Sequence, residues 1–317
     1  MYTAVLGTPT HPMPPEPQGV WLVDKPPALT SHDAVARARR WLRTRQVGHA
    51  GTLDPMATGL LVLLVGEATK LSPFLLMERK RYRADVCLGA GTDSLDADGA
   101  ILVEAPLPEA LLAELAQGES SGLLSRALEA ERARQEQIPP VVSAIHVDGE
   151  RSHARARRGE EVSLPPRPVR VFSLELLAVE LLPRVVIRVE LEVEKGYYVR
   201  SFGRDLGAAL GVPAHLTVLR RLRSGGFDLA EATPLEPPAR LLSLEEAARR
   251  VLPGAALSER GARRARQGQA LDPDDFLGPP PGELAAWFEG ERLLAVGEPR
   301  EERFRVLRGF RGGLSGG

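Results

Sequence analysis

Cysteine is nearly missing from this chain of 317 residues: Cys87 stands alone, which excludes an internal disulfide and a cysteine-based zinc cluster. The longest apolar run, Leu60 to Val65, is far too short to span a bilayer, and no charged-then-apolar leader opens the sequence. A cytoplasmic protein with no membrane partner is expected. Charge of one sign is also lacking, with 41 Lys and Arg against 42 Asp and Glu, so the whole-molecule field points to no polyanionic partner. What is present is ordinary for a globular protein, 43% hydrophobic and 26% charged residues in 34.3 kDa, enough for about two domains.

Although the net charge is close to zero, its distribution is uneven. Arg37, Arg39, Arg40, Arg43 and Arg45 follow one another without an intervening acid, and Arg151, Arg155, Arg157, Arg158, Arg167 and Arg170 form a second cluster. Acids gather instead between Glu104 and Glu136. Segregation of this kind suits a local surface for phosphates, and equally a solvated helix face.

Residues 8–18 are rich in proline and lack an apolar period, so 1–18 reads as an extended tail. Apolar patterning then predicts a strand at Val20–Val23, a helix over 32–46 capped by Thr30 or Ser31, and a buried strand in LLVLLVG. Further helices are expected at Glu67–Glu78, 107–136, 201–210 and 243–251. Strands are expected at Tyr82–Leu88, 161–164, 168–181 and 184–195, and shorter ones at 284–288, 292–297 and 303–308. With no regular βαβ alternation, the pattern indicates an α+β fold around a mixed, mainly antiparallel sheet. The expected division is a catalytic domain over 19–235, a connecting helical segment over 236–254 and a small β domain over 255–317.

The densest motif is GHAGTLDPMATGLL, residues 48–61. Gly48, Gly51 and Gly59 permit tight backbone, and Pro55 biases Asp54 toward an extended conformation that displays its carboxylate at a loop. An isolated Asp-Pro is more often a turn closed by an Asx bond, and the neighbouring His49, Thr52 and Thr58 weigh against that account here. TDSLDADGA, residues 92–100, has the look of a calcium loop, but its twelfth position falls on Ala105, so an acidic turn is the better account. The six histidines lack helical zinc spacing, and no metal is implied. Only four tyrosines occur, yet Tyr82 lies beside Arg81, and Tyr197 and Tyr198 precede Arg200. An aromatic ring next to a guanidinium can stack on a nucleobase while meeting a phosphate or carboxylate, although strands favour tyrosine in any case. In KGYYVRS, strand alternation puts Tyr198 and Arg200 on one face and Tyr197 on the other.

Six blocks in order, VDKPPALTSHDAV, GHAGTLDPMATGLLVLLVGEATKL, KRYRADVCLGAGTDSLDADG, QIPPVVSAIHVDG, KGYYVRSFGRDLG and LRRLRSGGF, resemble the TruB family of bacterial tRNA pseudouridine synthases. The resemblance runs from about Gly19 to Phe227, and RQGQAL and LLAVGEP are similar to the PUA-like β domain that this family appends. It implies isomerisation of uridine 55 in the T loop to pseudouridine, with tRNA as partner through its T stem-loop. It also implies no cofactor, no obligatory protein partner and a monomer. Carried over by residue, Asp54 matches the catalytic aspartate, Tyr82 the tyrosine that stacks on the target base, and Tyr198 and Arg200 the second active-site tyrosine and the aspartate's arginine. His49 matches an RNA-contacting histidine and Leu219 a leucine of the pocket; Lys25, in the first motif, and Arg81 join them as candidate substrate-binding residues. The chain departs from the family pattern at Ala28, Val142, Ser152, His153 and His146. RNA-guided synthases of archaea and eukaryotes share a similar catalytic domain, but the short C-terminal region and the motif spacing favour the stand-alone enzyme.

Overall fold

A computed structural model describes residues 16–120, 122–141 and 164–311, together with the paired strand residues 146–147 and 150–151. Arg155, Arg157 and Arg158 of the second arginine cluster, the departures at Val142, Ser152 and His153, the expected strand at 161–163 and most of the expected tail lie outside the described residues.

The chain opens with β1 (Gly19–Lys25), α1 (Ser31–Leu42), β2 (Val47–His49) and β3 (Thr58–Val65). After a 3-10 turn come α2 (Ser72–Leu75), β4 (Lys80–Leu88), β5 (Ala90–Thr92), β6 (Ile101–Glu104), α3 (Glu109–Leu115) and α4 (Gly122–Arg132). Short strands β7 (Glu136–Gln137), β8 (His146–Val147), β9 (Glu150–Arg151) and β10 (Arg167–Pro168) precede β11 (Val171–Glu180), β12 (Val186–Val193), α5 (Val199–Ala209) and β13 (Ala214–Ser224). The remainder is β14 (Phe227–Asp228), β15 (Thr233–Pro234), β16 (Leu241–Leu242), α6 (Leu244–Val251), β17 (Gly254–Ala256), α7 (Glu259–Arg266), β18 (Ala285–Glu289), β19 (Arg292–Arg300) and β20 (Arg303–Gly309).

The main sheet runs β11-β12-β4-β13-β3-β1-β15, with β2, β14 and β16 attached. Its pairs are antiparallel except β13 with β3 and β1 with β15, giving the mixed, mainly antiparallel α+β fold. Strands β1 and β3 are apolar at nearly every position because both faces are covered. Trp21, Val23, Leu61, Leu63 and Val65 pack with α1, α3, α4 and α5, whereas Val20, Leu22, Leu60, Val62 and Leu64 pack with α6 and the C-terminal sheet. That small sheet, β17-β18-β19-β20, buries Trp287 and Leu294 in a core with α7 and turns Phe288, Leu293 and Val296 toward the main sheet. The stretch 236–254 takes part in this packing: Leu241 and Leu242 pair with β1, and Ala247 and Ala248 of α6 are buried.

Three expected helices are shorter or broken. The first ends at Leu42, where Arg43 turns left-handed with φ 51 and donates its N–H to Arg39, freeing Val47 to pair with Val65. The Glu67–Glu78 helix reduces to a 3-10 turn and the four residues of α2, because Pro73 has no N–H to carry the helical ladder across the junction. Gly118, at φ 61, separates α3 from α4 within the expected 107–136 helix. KGYYVRS is not a strand: β12 stops at Val193, Gly196 turns the chain at φ 83, and Tyr198 caps α5, which puts Arg200 in the first helical turn.

Gly59 makes the centre of the sheet possible. It has φ 94, and a Cβ there would lie 2.3 Å from the Arg221 carbonyl oxygen and 2.9 Å from its nitrogen, where β13 meets β3. Gly59→Ala is therefore expected to destabilise the fold by more than about 1 kcal/mol, read as a lowered thermal midpoint. An unchanged midpoint would show that this approach is not a constraint.

Candidate active site

Asp54 lies in the loop between β2 and β3, and four separate anchors fix that loop. Ser31 Oγ accepts from Leu53 N–H at 2.8 Å and donates to the Leu53 carbonyl at 3.1 Å. The buried Arg221 guanidinium donates from Nη2 to Gly51 O at 3.0 Å, from Nη1 to Thr52 O at 3.4 Å and from Nε to Leu60 O at 2.7 Å. Lys25 Nζ donates to Pro55 O at 3.2 Å, and the Ala57 N–H closes a turn on the Asp54 carbonyl at 3.1 Å.

The Asp54 carboxylate then meets Arg200, not an Asx partner. Arg200 Nη2 donates to Oδ1 at 3.0 Å, Nε stands 2.9 Å from Oδ2, and Nη1 donates to the Ser94 carbonyl at 3.0 Å. A second carboxylate, Asp96 Oδ2, is 3.6 Å from the same Nε. Arg200 is 6% exposed and Asp54 33%, so the guanidinium is sealed into the wall and the carboxylate opens onto a cavity of about 880 Å³. Tyr82, Tyr197, Tyr198, Leu219 and Arg221 line the same cavity. It falls within the usual range for ligand pockets, about 300–1,000 Å³.

These side chains converge because β13 sits between β4 and β3. Tyr82 on β4 stands directly across from Arg221 on β13, and Leu219 is two residues along on the same face. The start of α5 brings Tyr198 and Arg200 against them. Tyr197 was expected on the opposite face, yet once the strand gives way to a turn and a helix it too borders the cavity, with its hydroxyl donating to Glu131 Oε1 at 2.6 Å.

Three other candidates lie elsewhere. Lys25 is fully buried, and its ammonium is taken up by the carbonyls of Pro26, Leu29 and Pro55, so it braces the loop beneath Asp54. Arg81, next to Tyr82 on β4, points to the other face of the sheet by strand alternation and pairs with Glu190. His49, at the end of β2, sets its ring edge-on to His32 with centroids 5.8 Å apart and does not line the cavity. Burial, then His32 and Arg221, lower its pKa from 6.5, leaving it mostly neutral at pH 7. The arginines of the 37–45 cluster are exposed.

Sequence reasoning passed over Ser31, Arg221 and Asp96. Ser31 was read only as a candidate helix cap, and Arg221 lies in LRRLRSGGF with no role assigned to it. Asp96 sits in the acidic turn, where its Oδ1 accepts from Ser94 Oγ at 2.5 Å and from Asp98 N–H at 3.2 Å. Among the described residues no group of three or more His, Cys, Asp and Glu is placed to hold a metal ion. Nor is any described helix long and apolar enough to cross a membrane.

Residues 39–199 match the model of the TruB family pseudouridylate synthase N-terminal domain. The chain belongs to the TruB family. It is 43% identical over 290 residues to a tRNA pseudouridine synthase B of Nocardia farcinica, covering 90% of each chain. It is 43% identical over 298 residues to a tRNA pseudouridine synthase B of Leifsonia xyli subsp. xyli, covering 92% of this chain and 96% of that one. Among solved structures, a chain of a Cbf5-Nop10-Gar1 complex superposes with a TM-score of 0.66 at 24% identity, covering 93% of this chain and 84% of that one, which shows a shared fold. As a TruB-family member the chain is a pseudouridylate synthase, an isomerase.

Burial raises the Asp54 pKa above 3.8; Arg200 opposes that, the Asp96 carboxylate adds to it, and the Arg200 hydrogen bond and Lys25 also work against it. Arg200 thus offsets only part of the desolvation. The folded state holds the Asp54 proton more tightly than the unfolded chain does, so this contribution to stability is present below 3.8 and is lost as pH rises through the folded value. Asp54→Asn, which cannot ionise, is expected to melt higher than the parent at pH 7, with the gap narrowing as pH falls. A lower midpoint for the variant at pH 7 would mean that the Arg200 pair outweighs desolvation.

Proposed function

We propose that this chain converts uridine 55 in the T loop of tRNA to pseudouridine, with Asp54 as the acting carboxylate and no cofactor, after the base has been flipped into the cavity. The observation that carries this reading is the Asp54 carboxylate, backed by buried Arg200 and opening onto a cavity walled by tyrosines. The 43% identical relatives named tRNA pseudouridine synthase B support tRNA as the substrate. On this reading the chain works as a cytoplasmic monomer on bare tRNA with no obligatory protein partner, and the unit from about Ala255 is a PUA-like grip on the same RNA.

The reaction breaks the bond between N1 and C1′, turns the base and joins C5 to C1′. A hydrogen leaves C5 and one arrives at N1, so composition is conserved and neither oxidant nor group donor is needed. A carboxylate beside the sugar can attack as a nucleophile, or it can take a proton from the 2′ carbon; both routes require the ionised form. Arg200 keeps that form accessible in a pocket whose desolvation disfavours it. Tyr82 stacks on the extruded base, and its hydroxyl is available for proton removal at C5. Leu219 and Tyr198 close the sides.

Extrusion of a uridine costs on the order of a few kcal/mol. Stacking on Tyr82, about 1–3 kcal/mol per base, offsets part of it. Phosphate contacts from the exposed arginines of α1 and the turn after it offset more. Recognition then follows the shape of the T arm and its backbone more than a long sequence.

Because binding comes largely from the phosphate interface, chemistry and affinity separate. Asp54→Asn should abolish tritium release from tRNA labelled at uridine C5 while tRNA affinity stays within about tenfold, a difference of roughly 1.4 kcal/mol. Retained release would remove Asp54 from the mechanism.

Tyr82 is expected to divide into ring and hydroxyl. Tyr82→Phe should keep affinity, whereas Tyr82→Leu should weaken both affinity and turnover by the loss of about 1–3 kcal/mol of stacking. A leucine variant that behaves like the parent in both assays would end the stacking role.

A further inference from the structure

One buried polar side chain next to the site takes no part in the chemistry above. Gln137, at the end of β7, is 2% exposed, and its carboxamide is spent on the backbone of Tyr198. Its Oε1 accepts the Tyr198 N–H at 2.8 Å, and its Nε2 donates to the Tyr198 carbonyl at 3.1 Å. A primary amide can hold one residue in this two-way manner because it carries a donor and an acceptor side by side.

The residue it holds is a junction. Tyr198 is the N-cap of α5, with extended backbone (φ −106, ψ 110) and no capping hydrogen bond from its own side chain. Its carbonyl also accepts the first helical bond, from Phe202 N–H at 3.2 Å. Two residues on, Arg200 reaches Asp54. The backbone clamp therefore fixes both the direction in which the Tyr198 side chain leaves and the angle at which the first turn of α5 presents Arg200.

Separate contacts hold the rest of the junction. Gln137 pairs with Arg167 in the β7-β10 ladder, and the carbonyl of Ile138 accepts from Ser201 Oγ at 2.9 Å and from Arg204 Nη2 at 3.0 Å. Glu131 receives the Tyr197 hydroxyl at 2.6 Å. One strip of chain, from the end of α4 through Ile138, thus seats the segment that carries Tyr197, Tyr198 and Arg200.

We propose that Gln137 is a positioning residue for the isomerisation: its two-way hydrogen bond to the Tyr198 backbone sets the placement of Tyr198 and Arg200 around Asp54 without touching the RNA. This rests on the function proposed above. Displacements of about 1 Å at an active site can lower rates by as much as 10²-fold, so the effect belongs in the chemical step.

The test compares Gln137→Met, which loses both bonds, and Gln137→Glu, which keeps the acceptor but sets a carboxylate oxygen against the Tyr198 carbonyl, with Ser201→Ala. Ser201→Ala loosens the same junction through Ile138 and leaves the Tyr198 clamp in place. Measured are kcat from tritium release, tRNA Kd and the thermal midpoint. The expected result is a kcat at least tenfold below the parent for both Gln137 variants, with Kd within about threefold, and a kcat within about threefold for Ser201→Ala. The proposal is overturned if the Gln137 variants lose no more kcat than Ser201→Ala, if their loss lies in Kd, or if neither folds, since Gln137 would then serve the fold alone. A parent chain that releases no tritium overturns the functional reading, and this proposal with it. A fully active parent with unaffected Gln137 variants overturns this proposal only.

Discussion

The Arg200 guanidinium is sealed in the protein wall with two carboxylates against it, Asp54 and Asp96. The residues of the closer pair are 146 positions apart in sequence, so the site exists only when the α5 start, the 50–57 loop and the acidic turn of 93–100 are all in place. Much of the surrounding structure serves that meeting. Arg221, Ser31 and Lys25 spend their polar atoms on the backbone of the Asp54 loop, and Gly59 lets β13 come close enough for Arg221 to do so. The cavity therefore has an open carboxylate and a closed cation.

The division of labour across the sheet follows from strand alternation. On β4, Tyr82 turns into the cavity while Arg81 and Arg83 turn away to Glu190 on β12, and Asp85 meets Arg188 at 2.8 Å. One face of these strands borders the cavity and the other carries ion pairs that tie neighbouring strands. On β1 and β3 neither face is free, and the same alternation distributes side chains between two cores, one under the helices and one under the C-terminal sheet.

This explains what could be read from the amino-acid order. Segments with strong apolar period or short-range punctuation were legible: β1, β3, β4, β12, the Thr30 cap and the strands of the C-terminal sheet. Asp54, Tyr82, Tyr198, Arg200 and Leu219 were legible as a set only through the family resemblance, because no local spacing joins residues from a loop, two strands and a helix. The breaks within helices were missed where one residue outweighs a helical pattern, as Pro73 and Gly118 do. Arg221 and Gln137 were missed for a different reason. Their work is to satisfy backbone carbonyls and N–H groups distant in sequence, and such partners leave no periodic trace. Ala28, one of the departures from the family pattern, has φ 57, a left-handed position that a sequence departure alone could not reveal.

The most direct measurement is base-resolution pseudouridine mapping of an unmodified tRNA transcript after incubation with the purified chain, with no cofactor added and with a second transcript in which the T stem is opened by substitution. The account predicts pseudouridine at position 55 and nowhere else in the intact transcript, and none in the opened one. Contradiction would come from an unmodified position 55, from modification scattered over other uridines, or from equal modification of the opened arm.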